Sequence, residues 1–144
     1  MKLIAIERKG QIGVHDSSDE HLLMLIEMTM KHYSQTGYCE PWIGYLALAE
    51  TEPVGVCGFK SAPTDGRVEI AYTTLPKHEG RGMATAMAAD LVRIARAEDE
   101  NLIITAQTLP EKSASTSILT KLGFKLTGHV ETPDDGTVWH WELH

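Results

Sequence analysis

The segment Glu79-Gly80-Arg81-Gly82-Met83-Ala84 stands between a β-rich run, Val68 to Leu75, and a run with helical periodicity that begins at Met83. Its two glycines let backbone amides turn inward and approach an anion closely. A helix starting directly after them adds its positive N-terminal end. This pattern suits the holding of a phosphate or pyrophosphate. A tight strand-to-helix turn would use the same glycines for geometry alone, and spacing does not separate the two readings. A Walker A loop is excluded, because no Gly-Lys-Ser/Thr follows. A Rossmann loop is excluded too, because GxGxxG is incomplete and the segment comes late in the chain.

The elements around this segment read as a single domain, residues 1–144, of ordinary globular composition: 42% hydrophobic and 23% charged. A first strand is expected over Leu3 to Glu7. Ser17 and Glu20 form a capping-box pattern ahead of Leu22, Leu25, Ile26, Met30 and Tyr33, which recur at helical spacing and end near Gly37. Ile43 to Glu50 and Val54 to Lys60 predict a hairpin turned by Thr51-Glu52-Pro53. Val68 to Leu75 is a strand, and Met83 to Glu98 a helix with Ala84, Met87, Ala88, Leu91 and Ala95 on one face. Leu102 to Gln107 is a strand, Ser113 to Leu122 a helix closed by Gly123, and Phe124 to Val130 and Val138 to Leu143 are a last strand pair. The order β-α-β-β-β-α-β-α-β-β implies one mixed sheet with flanking helices, an α/β (α+β) fold. Its strand–helix–strand from Val68 to Gln107 should be a right-handed parallel crossover.

Charge and composition narrow the function classes. A net charge of −7 argues against nucleic acid as a partner. No segment approaches the roughly 18 apolar residues of a membrane span, and the N-terminus lacks a signal-peptide pattern, so a cytoplasmic location is expected. Cys39 and Cys57 have no CxxC spacing and no Cys/His cluster, so reduced thiols and no metal are expected. Tyr33, Tyr38, Trp42 and Tyr45 either line a substrate cleft or pack in the core, and the core reading is the simpler one.

Val68 to Ala86 resembles motif A of the GNAT superfamily, whose Gln/Arg-x-x-Gly-x-Gly/Ala pattern falls here on Glu79, Gly82 and Ala84. Downstream, Pro110-Glu111-Lys112-Ser113-Ala114-Ser115 and Lys121-Leu122-Gly123-Phe124 resemble that family's Pro-Glu-Asn-x-x-Ser and Lys-Leu-Gly-Phe helix. The two motifs stand in family order with a strand between them. The resemblance is greatest to the branch that includes ribosomal-protein N-terminal acetyltransferases. It implies a mostly antiparallel sheet with a central, splayed parallel pair. It also implies an enzyme that moves an acetyl group from acetyl-CoA to an amine of a small molecule or peptide by direct attack, without a metal. Backbone groups of Thr73, Thr74 and Leu75 would meet the pantetheine arm. Amides of Gly80, Arg81, Gly82, Met83, Ala84 and Thr85 would hold the pyrophosphate, and Lys112 sits at a further cofactor position. Exposed terminal strands are compatible with a homodimer.

The chain departs from the family pattern at three places. Glu79 occupies the Gln/Arg seat beside the expected pyrophosphate. Lys112 occupies the Asn seat. Leu119 stands where many relatives place a catalytic Tyr, leaving Ser115 or water to reprotonate the thiolate. Glu69 matches a glutamate of this branch and, alternating with Val68 and Ile70, faces away from them; it is the candidate base, directly or through water. The acidic seat on the following strand holds Gln107, which cannot accept a proton. His140, between Trp139 and Trp141, and His78, expected at the surface beside the loop, rank below Glu69. The departures leave a second reading, a non-catalytic acyl-CoA-binding regulatory module.

Overall fold

The computed structural model describes residues 1–9 and 19–144. Seven strands form one sheet: β1 (Lys2–Ala5), β2 (Gly44–Ala49), β3 (Glu52–Phe59), β4 (Arg67–Thr74), β5 (Ile103–Thr108), β6 (Lys125–Thr132) and β7 (Gly136–Leu143), in the order β1-β2-β3-β4-β5-β7-β6. Every pairing is antiparallel except β4 with β5. Three helices complete it: α1 (Glu20–Thr36), α2 (Met83–Glu98) and α3 (Ala114–Lys121). All ten expected elements are present, and the β4–α2–β5 unit is the parallel crossover that the pattern required.

Local chemistry explains most boundaries. Asp19 caps α1, its carboxylate accepting from the amides of His21 and Leu22; the Ser17 end of the expected capping box lies outside the described residues. Ser113 caps α3 through a reciprocal pair with Thr116, a capping box formed with a hydroxyl in place of the usual Glu or Gln. The β2–β3 hairpin differs from expectation. Glu50 takes a positive φ of 58°, the chain turns at Glu50-Thr51, and Pro53 lies inside β3 opposite Leu48. The register shifts between Ala47 and Leu48, so Pro53 sits where the ladder is already irregular, a position that tolerates its missing N–H.

Strand pairing assigns side chains to faces, since paired residues share a face. One face carries Val68, Ile70, Ile104, Ala106, Trp139 and Trp141, and α2 packs there, with Met87, Ala88, Leu91 and Ala95 fully buried. The other face carries Val56, Gly58, Glu69, Ala71 and Thr73, with α1 lying over the β2–β3 side. Gly44 allows α1 to come close: a Cβ there would stand 2.7 Å from the Thr29 methyl carbon. Tyr33 ties helix to sheet, its hydroxyl donating to the Ile6 carbonyl at 2.7 Å and accepting from the Gly44 amide at 2.8 Å.

Tyr33→Phe removes both bonds and leaves a buried amide without its partner. The variant should fold and lose about 1–3 kcal/mol of stability, read from the denaturant midpoint.

Candidate active site

The parallel pair is short. Arg67, Val68 and Glu69 pair with Ile103, Ile104 and Thr105, and there the ladder stops, although β4 continues to Thr74 and β5 to Thr108. At the point of separation the Thr105 hydroxyl donates to the Val68 carbonyl at 3.4 Å. Beyond it the two strands diverge. On its other side β4 remains paired with β3: the Leu75 amide donates to Val54 and the Lys60 amide to the Glu69 carbonyl. In an antiparallel ladder these bonds alternate, so Glu69, Ala71, Thr73 and Leu75 direct their backbone groups at β3. Ile70, Tyr72 and Thr74 direct theirs into the opening, where no strand meets them. Leu75 has both backbone groups engaged, its carbonyl accepting from the His78 amide. Of the three residues expected to offer backbone groups, Thr74 is the one turned toward the opening.

At the end of β4 lies the glycine loop. Pro76–His78 form one short 3-10 turn, after which Gly80 and Gly82 take φ of 75° and 79°. A Cβ at either would meet nothing within 4 Å, so the glycines are needed for backbone conformation rather than for room inside the fold. Gly82 is the N-cap of α2 and provides no side-chain cap, and the first turn has no acidic residue. The amides of Met83, Ala84 and Thr85 therefore open the helix without an internal acceptor.

Two side chains of the loop differ from what the sequence suggests. His78, expected at the surface, is only 3% exposed, because the 3-10 turn folds it inward. Arg81 Nη1 lies 2.9 Å from His78 Nδ1. A guanidinium only donates, so Nδ1 is the acceptor and the ring hydrogen falls on Nε2, 3.2 Å from Glu52 Oε1. Lys77 lies 3.9 Å from both Asp19 and Glu52. Glu79 is exposed and holds neither cation.

On the same face as α2, the loop before α3 brings exposed Lys112 to a hollow of about 510 Å³ shared with Thr116, Lys121 and Trp139. Ser115 is half-buried on the first turn of α3. Leu119 is fully buried, packed as a core residue.

The opposite face of the opening carries Glu69, Gln107, His140 and Glu142. Glu69 is 23% exposed, and its Oε2 lies 2.6 Å from Lys60 Nζ. His32 on α1 bonds to the Lys60 carbonyl, which brings an imidazole to the backbone of that residue. His140 Nε2 lies 3.2 Å from Glu142 Oε2, and Arg67 and His144 also reach that carboxylate, at 2.5 and 2.9 Å. The hydrogen bond from Arg67, then that from His144, holds the Glu142 carboxyl down at about 2. Lys60, His32, Arg67 and Glu142 were not singled out by sequence reasoning. Lys60 alone had a signal, because a hairpin closed at Pro63–Gly66 sets it opposite Glu69.

A cavity of about 240 Å³ opens on this face between α1 and strands β3 and β4, reaching Thr73 at the edge of the opening. Tyr33 borders it. The other expected aromatics serve packing: Tyr45 is 9% exposed and donates to the Pro41 carbonyl, Tyr38 meets Tyr33 edge-on, and Trp42 meets Phe59 edge-on. Cys57 is buried and Cys39 exposed, both as free thiols.

Residues 6–125 match the family described as acetyltransferase (GNAT) domain. No curated protein matches the chain significantly. Among solved structures, the fold is similar to that of aminoglycoside acetyltransferase AAC(6')-Ib bound to coenzyme A, at 24% identity over 70% of this chain and 65% of that one, with a TM-score of 0.60. It is also similar to a spermidine N-acetyltransferase chimera from Vibrio cholerae and hSSAT, at 14% identity over 99% and 95% of the two chains, TM-score 0.71. A ribosomal-protein-alanine N-acetyltransferase from Brucella melitensis shares 13% identity over 84% and 77%, TM-score 0.63. The chain thus spans slightly less than two thirds of the first of these proteins.

Two variants test the loop. Gly82→Val forces a β-branched residue into positive φ and should cost coenzyme A affinity at least tenfold, measured by calorimetry on protein whose circular dichroism is unchanged. Glu79→Gln should tighten binding, and the gain should shrink as salt is raised. Because Lys77 and Arg81 have other partners, loss of an internal ion pair does not compete with this outcome.

Proposed function

The chain belongs to the GNAT acetyltransferase family, and from that premise we propose that it transfers an acetyl group from acetyl-CoA to a primary amine of a small molecule or peptide by direct attack. The observation that carries the reading is the opening between β4 and β5, with unmatched backbone groups along β4 and a glycine loop at its end. These features fit the two polar parts of the co-substrate: a peptide-like arm that can add hydrogen bonds to a strand edge, and a pyrophosphate that suits inward amides at a helix N-terminus.

In this reading the amides from Gly80 to Thr85 hold the pyrophosphate, with Lys112 as a further cation. Ile70, Tyr72 and Thr74 bind the pantetheine arm. One of their N–H groups polarises the thioester carbonyl. The thioester is the chemistry that acetyl-CoA supplies. The amine approaches from the face that carries Glu69, whose carboxylate receives the amine proton through water. Its ion pair with Lys60 fixes its position. Ser115, or water, returns a proton to the departing sulfur on the other face.

A second reading, an acyl-CoA-binding module without catalysis, draws on Leu119, whose buried side chain brings no hydroxyl to the opening. Thiol release from acetyl-CoA with a panel of amines separates the two. Within the catalytic reading, Glu69→Gln should bind coenzyme A normally and lose roughly 10²–10⁴-fold in turnover. The deficit should narrow at high pH, where more amine is already deprotonated. Near-wild-type turnover at neutral pH would pass the role to His140 or to water alone.

A further inference from the structure

We propose that the acceptor is a monoamine with an apolar body, such as an alkylamine or arylalkylamine, and not a polycation. The proposal rests on the acetyltransferase reading above and specifies what enters its acceptor side.

The cavity between α1 and strands β3 and β4 lies on the Glu69 face and ends at Thr73, beside the backbone groups of Tyr72 and Thr74 that face the opening. Its walls are the apolar side chains of Leu25 and Met28 on α1 and of Val56 and Ala71 on the sheet. Leu25, Met28, Thr29 and His32 follow the spacing that keeps one helix face turned to the sheet. At about 240 Å³ the cavity is smaller than the roughly 300–1,000 Å³ usual for ligand sites, so it suits one ring or a short branched chain.

Charge decides against a polycation. Among the described residues no carboxylate lines the cavity, and its basic side chains are Lys60 and His32. The carboxylates of Glu69 and Glu142 on this face already have cations, Lys60 and Arg67 respectively, and the imidazoles of His140 and His144 also lie against Glu142. A second or third ammonium group on the substrate would enter an apolar space without a counter-charge and would face a lysine, which is costly on both counts. A single amine at one end of an apolar body avoids both. Its nitrogen stays at the opening, where the C–N bond forms and the C–S bond breaks. The electron pair leaves on sulfur, the amine proton leaves through water to Glu69, and the sulfur takes a proton from Ser115 or water.

Thiol release from acetyl-CoA, with product mass, should be measured for 2-phenylethylamine, tryptamine and isoamylamine against spermidine and kanamycin. At least one apolar monoamine is expected to exceed both polycations in kcat/KM by about tenfold or more, the scale set by a few buried methylene groups. Equal or reversed preference overturns the proposal and leaves the acetyltransferase reading standing. Release with no amine in the panel, from protein that binds coenzyme A, overturns the proposal and supports the non-catalytic module. Met28, which is 59% exposed on α1, allows a second test that does not threaten the core. Met28→Glu should lower kcat/KM for the preferred monoamine about tenfold, improve spermidine, and leave coenzyme A affinity unchanged. If the variant changes neither amine, the cavity is not the acceptor site and the proposal fails.

Discussion

The parallel contact between β4 and β5 has to do two opposed things. It must join the two halves of the sheet, because the apolar face of Val68, Ile70, Ile104 and Ala106 is continuous through it, with α2 packed on its β3–β4 side. In the acetyltransferase reading it must also end early, because backbone groups already paired within the sheet have nothing to offer a ligand. Three residue pairs meet the first need, aided by the Thr105 bond to Val68. The crossover helix meets the second: α2 starts directly from the glycine loop and fills the space under β4, so the strand stays ordered after β5 has left it. The opening is stabilised by packing on one face and by the β3 ladder on the other side.

Much of this was legible in the residues. The glycine loop could be read because positive φ and a helix start leave marks in sequence, namely Gly80, Gly82 and the periodic run from Met83. Glu69 could be placed on a face because a strand alternates. What was missed depends on contacts across the chain. His78 reads as a polar loop residue, and only the 3-10 turn that carries it inward makes it a partner for Arg81. The Glu142 cluster joins β7 to β4 through β5, a pairing order that local pattern does not encode. Pro53 was read as a turn residue because proline interrupts ladders, yet a ladder that is already irregular accepts it. Ser17 reads as the cap of the first helix, whereas within the described residues the carboxylate of Asp19 does that work.

In the acetyltransferase reading the sheet also separates two kinds of recognition. Along the opening, β4 presents main-chain groups, which any chain with peptide-like bonds can meet and which substitutions hardly alter. Over β3 and β4 beneath α1, the surface is made of side chains, and there single replacements change size and charge at once. The structural neighbours, at identities of 13–24%, include acetyltransferases named for aminoglycosides, for spermidine and for ribosomal-protein alanine.

The fork at Glu69 and the loop after Thr74 also make a ruler. Five strand steps separate Glu69 from Thr74, about 17 Å at the usual rise. In the acetyltransferase reading, a ligand gripped by its phosphates at one end would thus be delivered to a set point at the other, independent of any side chain along the way. Inserting or deleting one residue between the two marks would move that point by roughly 3.3 Å and would also turn every following side chain to the opposite face. The gauge can be changed only in steps of two residues if the faces are to stay as they are, and a two-residue step is longer than a reacting bond can tolerate. In that reading the length of this strand is fixed by the distance it has to set.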